Sequence, residues 1–221
     1  MAPLRDIYDR LLTAFGPQKW WPGDTPFEIM VGAILVQNTA WKNVEKAIRN
    51  LADAGLLDPH ALAPLDAEEL QEPIRPAGYY RLKAKRLLHL VRFVADRYDG
   101  DLDAMFSVSL GVLREELLAL NGIGPETADS ILLYAGGLPT FVVDTYTHRV
   151  LARHGWIGYE AGYYEIKDLF ESGLEEDASL YNEFHALLVR VGHLHCRKTP
   201  KCGECPLAEL LPEGGICQPD F

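Results

Sequence analysis

Four cysteines, Cys196, Cys202, Cys205 and Cys217, stand near the C-terminus with the spacing Cys-x5-Cys-x2-Cys-x11-Cys. Thiolates two residues apart can reach one metal centre, and four together suit either a tetrahedral zinc ion or a cubane iron–sulfur cluster. The segment is short, polar and rich in Pro and Gly, which makes four buried free thiols a poor reading of it. A second candidate is Leu120-Asn-Gly-Ile-Gly124, where Gly122, Ile123 and Gly124 read as a tight hairpin, since glycine takes angles and close approaches that a side chain blocks. A hairpin that ends at a helix N-terminus offers unpaired N–H groups and the positive end of a helix dipole, a ready site for phosphate. Such contacts grip a nucleic-acid backbone without reading its sequence. A plain turn between packed helices would use the same residues. A third candidate is Asp144, an acid opening a further helical segment, where it also suits a helix cap.

These residues need helices to hold them. Leu110, Leu113, Leu117 and Leu120 lie on one side of a helix before the hairpin, and Pro125 suits the first position of the helix after it, with Ala128, Ile131, Leu132 and Ala135 at helical spacing. Gly136-Gly137 ends that helix, and Phe141-Val-Val143 reads as a buried apolar run before Asp144. Elsewhere the spacing predicts helices over 4–15, 27–36, 41–51, 66–71, 83–98, 146–154, 159–173 and 180–195. Thr25-Pro26-Phe27-Glu28 is a capping box, and the helix it opens is apolar nearly all round, as a helix in the middle of a domain must be. Residues 58–65 and 99–109 read as loop. Strand alternation is confined to scraps such as Thr140 to Val143, so the fold class is all-α.

The 221 residues are 48% hydrophobic, enough for one large or two small cored domains. A formal net charge of -11 argues against coating DNA by bulk electrostatics. The distribution is uneven: no acid falls between Glu72 and Asp96, where Arg75, Arg81, Lys83, Lys85, Arg86 and Arg92 all lie, whereas 160–177 is rich in acids. One basic face on a polar surface fits local, site-directed DNA contact, and equally a solvated helix face. No run is long and apolar enough to cross a membrane, and MAPLRDIYDR lacks the pattern of a signal peptide. A reducing cytoplasm is therefore expected, with the protein at the nucleoid, and there metal ligation outranks disulfides.

Helix, Leu-x-Gly-x-Gly hairpin, helix, Gly/Pro turn and Val-Asp-Thr together resemble the helix-hairpin-helix, Gly/Pro loop and aspartate of the endonuclease III superfamily of DNA glycosylases. The stretch TPFEIMVGAILVQNTAWKNVEKAI is similar to an endonuclease III-related subgroup that includes relatives of the 3-methyladenine DNA glycosylases. The resemblance implies that Asp144 serves the chemistry, stabilising positive charge on the sugar and orienting or deprotonating water. Members that also cut the strand carry a lysine two residues after the second hairpin glycine; here that position is Glu126, which cannot form the imine. Glu126 also suits a first helical turn, and a second general base is the other role open to it. By the same resemblance Gln37 fills the space a flipped nucleotide leaves; alternatively Gln37 and Asn38 satisfy backbone groups at the turn. Ile74 to Leu88 resembles the family's Ile-x-x-x-Gly turn, so Tyr79 or Tyr80 would wedge into the duplex, the other reading being tyrosines packed on the domain rim with their hydroxyls in water. The family's Cys-x6-Cys-x2-Cys-x5-Cys binds a [4Fe-4S] cluster. This chain differs in its first and last gaps, and Cys217 is the ligand most affected.

The resemblance also implies a two-lobed protein: a six-helix barrel over 26–134, and a cluster domain from 1–25 with 135–221. Double-stranded DNA with a damaged base would be held, by a monomer, through Gly122, Ile123, Gly124, Arg81, Lys83, Lys85 and the cluster loop. The implied function is a monofunctional DNA glycosylase of base excision repair. Two alternatives stand beside it: a structure-specific DNA-binding protein with little catalysis, and a lyase using another amine such as Lys83 or Lys42.

Overall fold

A computed structural model describes residues 2–218, and the described residues contain helices, turns and extended segments but no strand. The helices are α1 (Leu4–Phe15), α2 (Pro26–Leu35), α3 (Trp41–Asp53), α4 (Pro59–Leu62), α5 (Ala67–Ile74), α6 (Tyr80–Tyr98), α7 (Leu102–Phe106), α8 (Leu110–Leu118), α9 (Pro125–Ser130), α10 (Thr145–Arg153), α11 (Tyr163–Gly173) and α12 (Ala178–Leu194). The all-α reading holds. Among the described residues no helix is long and apolar enough to cross a membrane. The chain divides into two compact units, one of Trp21–Leu138 and one of Met1–Trp20 with Pro139–Phe221.

In the first unit α2 is the central helix, as its all-round apolar sequence requires. The Thr25 hydroxyl accepts from Glu28 N–H at 3.1 Å, and every residue from Met30 to Leu35 is buried. Around it pack α3, α6 and α9, with the π-helical turn Ile131–Ala135 that continues α9. α8 and α9 are joined across the hairpin by an ion pair that the apolar pattern does not reveal. Arg114 Nε and Nη2 donate to Asp129 Oδ1 and Oδ2 at 2.7 and 3.0 Å, and Asp129 is fully buried. Such a fork fixes the angle between two helices more tightly than apolar contact alone.

Two stretches read as loop contain short helices instead. Asp58 caps α4 by accepting from His60 and Ala61 N–H, and Asp101 caps α7 by accepting from Ala104 N–H. With four and five residues, neither is long enough to display a repeating stripe. α5 runs on through Pro73, and α6 begins at Tyr80 rather than Lys83.

In the second unit α12 packs on α1 and α10. Thr140 to Val143 is buried and joins no sheet. Its backbone is held by α11: Glu171 accepts from Phe141 N–H at 2.8 Å, and Lys167 Nζ donates to the Thr140 hydroxyl and, at 3.3 Å, to the Phe141 carbonyl. Phe141 stacks on Phe170 with centroids 3.8 Å apart. The scrap of strand-like sequence is thus an extended strap clamped by one helix, and it delivers Asp144 to the start of α10.

Candidate active site

Asp144 caps α10. Its Oδ1 accepts from Thr147 N–H at 2.7 Å, and its Oδ2 lies 3.8 Å from His185 Nε2 on α12. The carboxylate is 13% exposed, so it is oriented by the cap and still meets solvent. His185 is buried; burial pushes its imidazole below the ordinary histidine range, with the Asp144 charge pulling the other way. Sequence reasoning misses His185. Its signal is one polar residue in the buried stripe Tyr181, Phe184, His185, Leu188.

The hairpin glycines are not equivalent. Gly122 has φ +94, and a Cβ there would come within 2.3 Å of Arg86 Cγ; Gly124 has φ -96, and a Cβ there would meet nothing within 4 Å. Gly122→Ala is therefore expected to destabilise the protein by about 1–3 kcal/mol through strain and displacement of Arg86. Gly124→Ala should change little, and urea unfolding of the two variants checks the contrast. Ile123 is buried, and its N–H donates to Leu120 O at 3.1 Å. Glu126 is exposed in the first turn of α9.

Gln37 is tied to this hairpin. Its Nε2 donates to Gly122 O at 3.2 Å and to Thr127 Oγ1 at 3.0 Å, while its Oε1 accepts from Arg86 Nη1 at 2.5 Å. Entry into a duplex would require its amide to leave all three partners. Tyr79, by contrast, projects from the start of α6 with φ 45 and 70% exposure. Arg81 and Lys85 are exposed on the same helix.

Lys83 requires a correction, both as a DNA contact and as an open amine. It is 1% exposed, and its Nζ donates to Leu35 O and Ala77 O at 2.8 Å each. Burial, with the Arg86 charge adding to it, lowers its pKa to about 8. A phosphate cannot reach an amine sealed in this way. Lys42 remains on the surface. Near the start of the same unit is an aromatic group that sequence spacing does not assemble: the ring of Trp21 lies 5.2 Å from those of Trp41 and Tyr134.

Cys196, Cys202 and Cys205 line one pocket together with Val150, Val191, Leu207 and Ile216. The Cys217 N–H donates to Arg153 O at 2.8 Å, and Arg153 Nη1 lies 3.4 Å from Cys196 Sγ, so the fourth cysteine is held beside the same arginine. Burial raises the Cys205 thiol. Among the described residues no three His, Cys, Asp or Glu side chains are gathered tightly enough to ligate one ion as they stand. A donor set of thiolates around an apolar pocket nonetheless has the chemistry for a soft metal centre, and such sites commonly close on binding. Arg149 donates through Nε to Cys196 O at 2.6 Å, while Arg153 donates to the Arg197 and Lys198 carbonyls. Two helical arginines thus shape the cysteine loop.

Residues 31–176, which include the hairpin, the strap and Asp144, match the family described as "HhH-GPD superfamily base excision DNA repair protein". The chain belongs to this superfamily. A Methanocaldococcus jannaschii protein, provisionally named a DNA repair glycosylase, is 48% identical over 92% of this chain and 93% of its own. Endonuclease III of Thermotoga maritima is 31% identical over 81% and 79%. Among solved structures, the H. pylori 3-methyladenine DNA glycosylase MagIII bound to 1,N6-ethenoadenine gives a TM-score of 0.74 at 31% identity, covering 86% of this chain and 95% of its own. A trapped covalent intermediate of endonuclease III with DNA gives 0.81 at 26% identity, covering 97% and 98%. The endonuclease III likeness read from the hairpin and Val-Asp-Thr is borne out.

Proposed function

We propose that this HhH-GPD protein is a monofunctional DNA glycosylase that hydrolyses the N-glycosidic bond of a damaged base rotated out of DNA. The observation that carries the reading is the Asp144 carboxylate, oriented by Thr147 N–H and partly exposed at the head of α10. As the bond from C1′ to the base nitrogen breaks, the base leaves with the bonding electrons and positive charge grows on the sugar. Asp144 stabilises that charge and takes a proton from the water whose oxygen bonds to C1′. The hairpin amides of Gly122 and Gly124, with Arg81 and Lys85, hold phosphates, the Ile123 amide being taken by Leu120 O; Tyr79 stacks into the duplex, and Gln37 occupies the vacated space once released from Gly122, Thr127 and Arg86.

Glu126 at the lysine position and the sealed amine of Lys83 both favour water over an amine as nucleophile. Borohydride should trap no covalent complex between the protein and lesion-bearing DNA; a trapped species that disappears in Lys42→Ala would support the lyase reading instead. Alkylated purines are the first substrate class, and mismatched or oxidised pyrimidines the second. Alkylation at a purine ring nitrogen gives a cationic nucleoside, and electron-rich rings such as Trp21, Trp41 and Tyr134 attract cations. The ethenoadenine-bound relative is in keeping with that class.

Cys196, Cys202, Cys205 and Cys217 would hold a [4Fe-4S] cluster, whose thiolate ligation organises a loop too small to pack by itself. The purified protein should then be brown, with absorbance at the blue edge of the visible range, and Cys205→Ser should bleach it. Colourless protein that contains zinc would contradict the cluster. The exposed Glu126 and the acidic balance also motivate a structure-specific DNA-binding protein with little catalysis, which retained binding without base release would support.

A further inference from the structure

We propose that His185 is a positioning residue for the Asp144 carboxylate: its buried imidazole faces Oδ2, the oxygen the helix cap leaves free, and sets the direction in which that oxygen presents its charge. The proposal rests on the reading of Asp144 as the glycosylase's carboxylate. Thr147 N–H donates to Oδ1 at 2.7 Å, which fixes that oxygen at the helix cap. The polar atom facing Oδ2 is His185 Nε2 at 3.8 Å, a distance a small side-chain movement converts into a hydrogen bond.

His185 is itself held firmly. It stands on α12, is 5% exposed, and its ring meets that of Phe141 edge-on with centroids 6.4 Å apart. Phe141 belongs to the strap that Lys167 and Glu171 clamp. The strap therefore carries Asp144 and packs against the histidine that faces it, so the carboxylate and its neighbour are positioned by one piece of structure. Tyr181, one turn earlier on α12, also packs edge-on against Phe141 and stands as another titratable group in this surround.

A neutral imidazole is the useful form here. A positive charge beside Asp144 would cancel the charge that the developing sugar cation needs, whereas a neutral N–H orients the carboxylate and leaves its charge intact. Burial favours this neutral form. The mechanism does not otherwise use His185, and any ring of similar size would fill the space between α10 and α12.

The test compares His185→Phe, which keeps a ring and loses the donor, with His185→Gln, which keeps a neutral donor and loses the ring. Single-turnover base release is measured on duplexes carrying methylated purines, ethenoadenine, oxidised pyrimidines or mismatches, with Asp144→Asn as the reference. His185→Phe should lower the release rate about 10–100-fold, the worth of a hydrogen bond to a charged group, with KM and affinity for abasic-site DNA changed less than about threefold. His185→Gln should recover most of the rate. Full activity in His185→Phe, or an order with phenylalanine active and glutamine inactive, would show that the ring only fills space and overturn the proposal. Should His185→Phe fail to fold, His185→Asn against His185→Gln decides, because an amide one methylene shorter should lose rate; equal rates would overturn it. Loss of release in Asp144→Asn with full activity in His185→Phe refutes this inference alone; full release in Asp144→Asn refutes the role of Asp144 and this inference with it, while no release from any lesion by the wild type refutes the glycosylase reading as a whole.

Discussion

Asp144→Asn should lower single-turnover base release by about 10²–10⁴-fold and leave binding of undamaged duplex within a few-fold. The substitution is chosen by the geometry. Asparagine is as good a helix cap as aspartate, and its side-chain oxygen can still accept from Thr147 N–H, so α10 and the strap before it stay in place. What disappears is the negative charge and the ability to take a proton from water. Asp144→Ala would confuse the two effects, since loss of the cap costs about 0.5–2 kcal/mol of stability by itself. If the asparagine variant released base at the wild-type rate, Asp144 would be a cap and nothing more.

Lys83→Met should destabilise the protein by about 2–5 kcal/mol without altering the products it forms. The amine satisfies Leu35 O at the end of α2 and Ala77 O just before the Tyr79 turn, and methionine leaves both buried carbonyls without their donor, each at about 1–3 kcal/mol. The C-terminal end of α2 also loses a positive charge that its dipole favours. The pH dependence carries a sign. Burial lowers Lys83 to about 8 from 10.5, so between those values the unfolded chain holds more protons than the native one, and wild-type stability should rise with pH relative to the methionine variant. Below pH 8 both states carry the charge and the difference should be flat. Guanidinium unfolding of both proteins from pH 7 to 10 measures it; a variant as stable as wild type would mean the two carbonyls find other donors.

Lys83 also shows where the sequence is legible and where it is not. Its spacing to Leu87, Val91 and Val94 puts it on the buried face of α6, and that spacing is visible in the sequence. The residue type overrides the position: a lysine in a basic stretch reads as a surface charge, because lysines are rarely buried without a partner. Here the partners are backbone carbonyls at the ends of other elements, which no local pattern reveals. His185 repeats the case, a polar residue at a core position whose meaning depends on Asp144, distant in sequence. The hairpin and Asp144 are legible because their signals are local: glycines at a turn, proline at a first helical position, an acid at a cap. Thr140 to Val143 is legible as buried but not as clamped, since Lys167 and Glu171 come from a later helix. Gln37 stands out by its type, while its three bonds to the hairpin and Arg86 are tertiary.

The most direct test of the central claim is product analysis on a panel of duplexes, each with one defined lesion, incubated with wild-type protein and split into halves with and without hot alkali. The account predicts that at least one lesion, first among them an alkylated purine, gives free base in both halves and a cut strand only after alkali. A strand cut without alkali, or no free base from any lesion while the DNA stays bound, would contradict it.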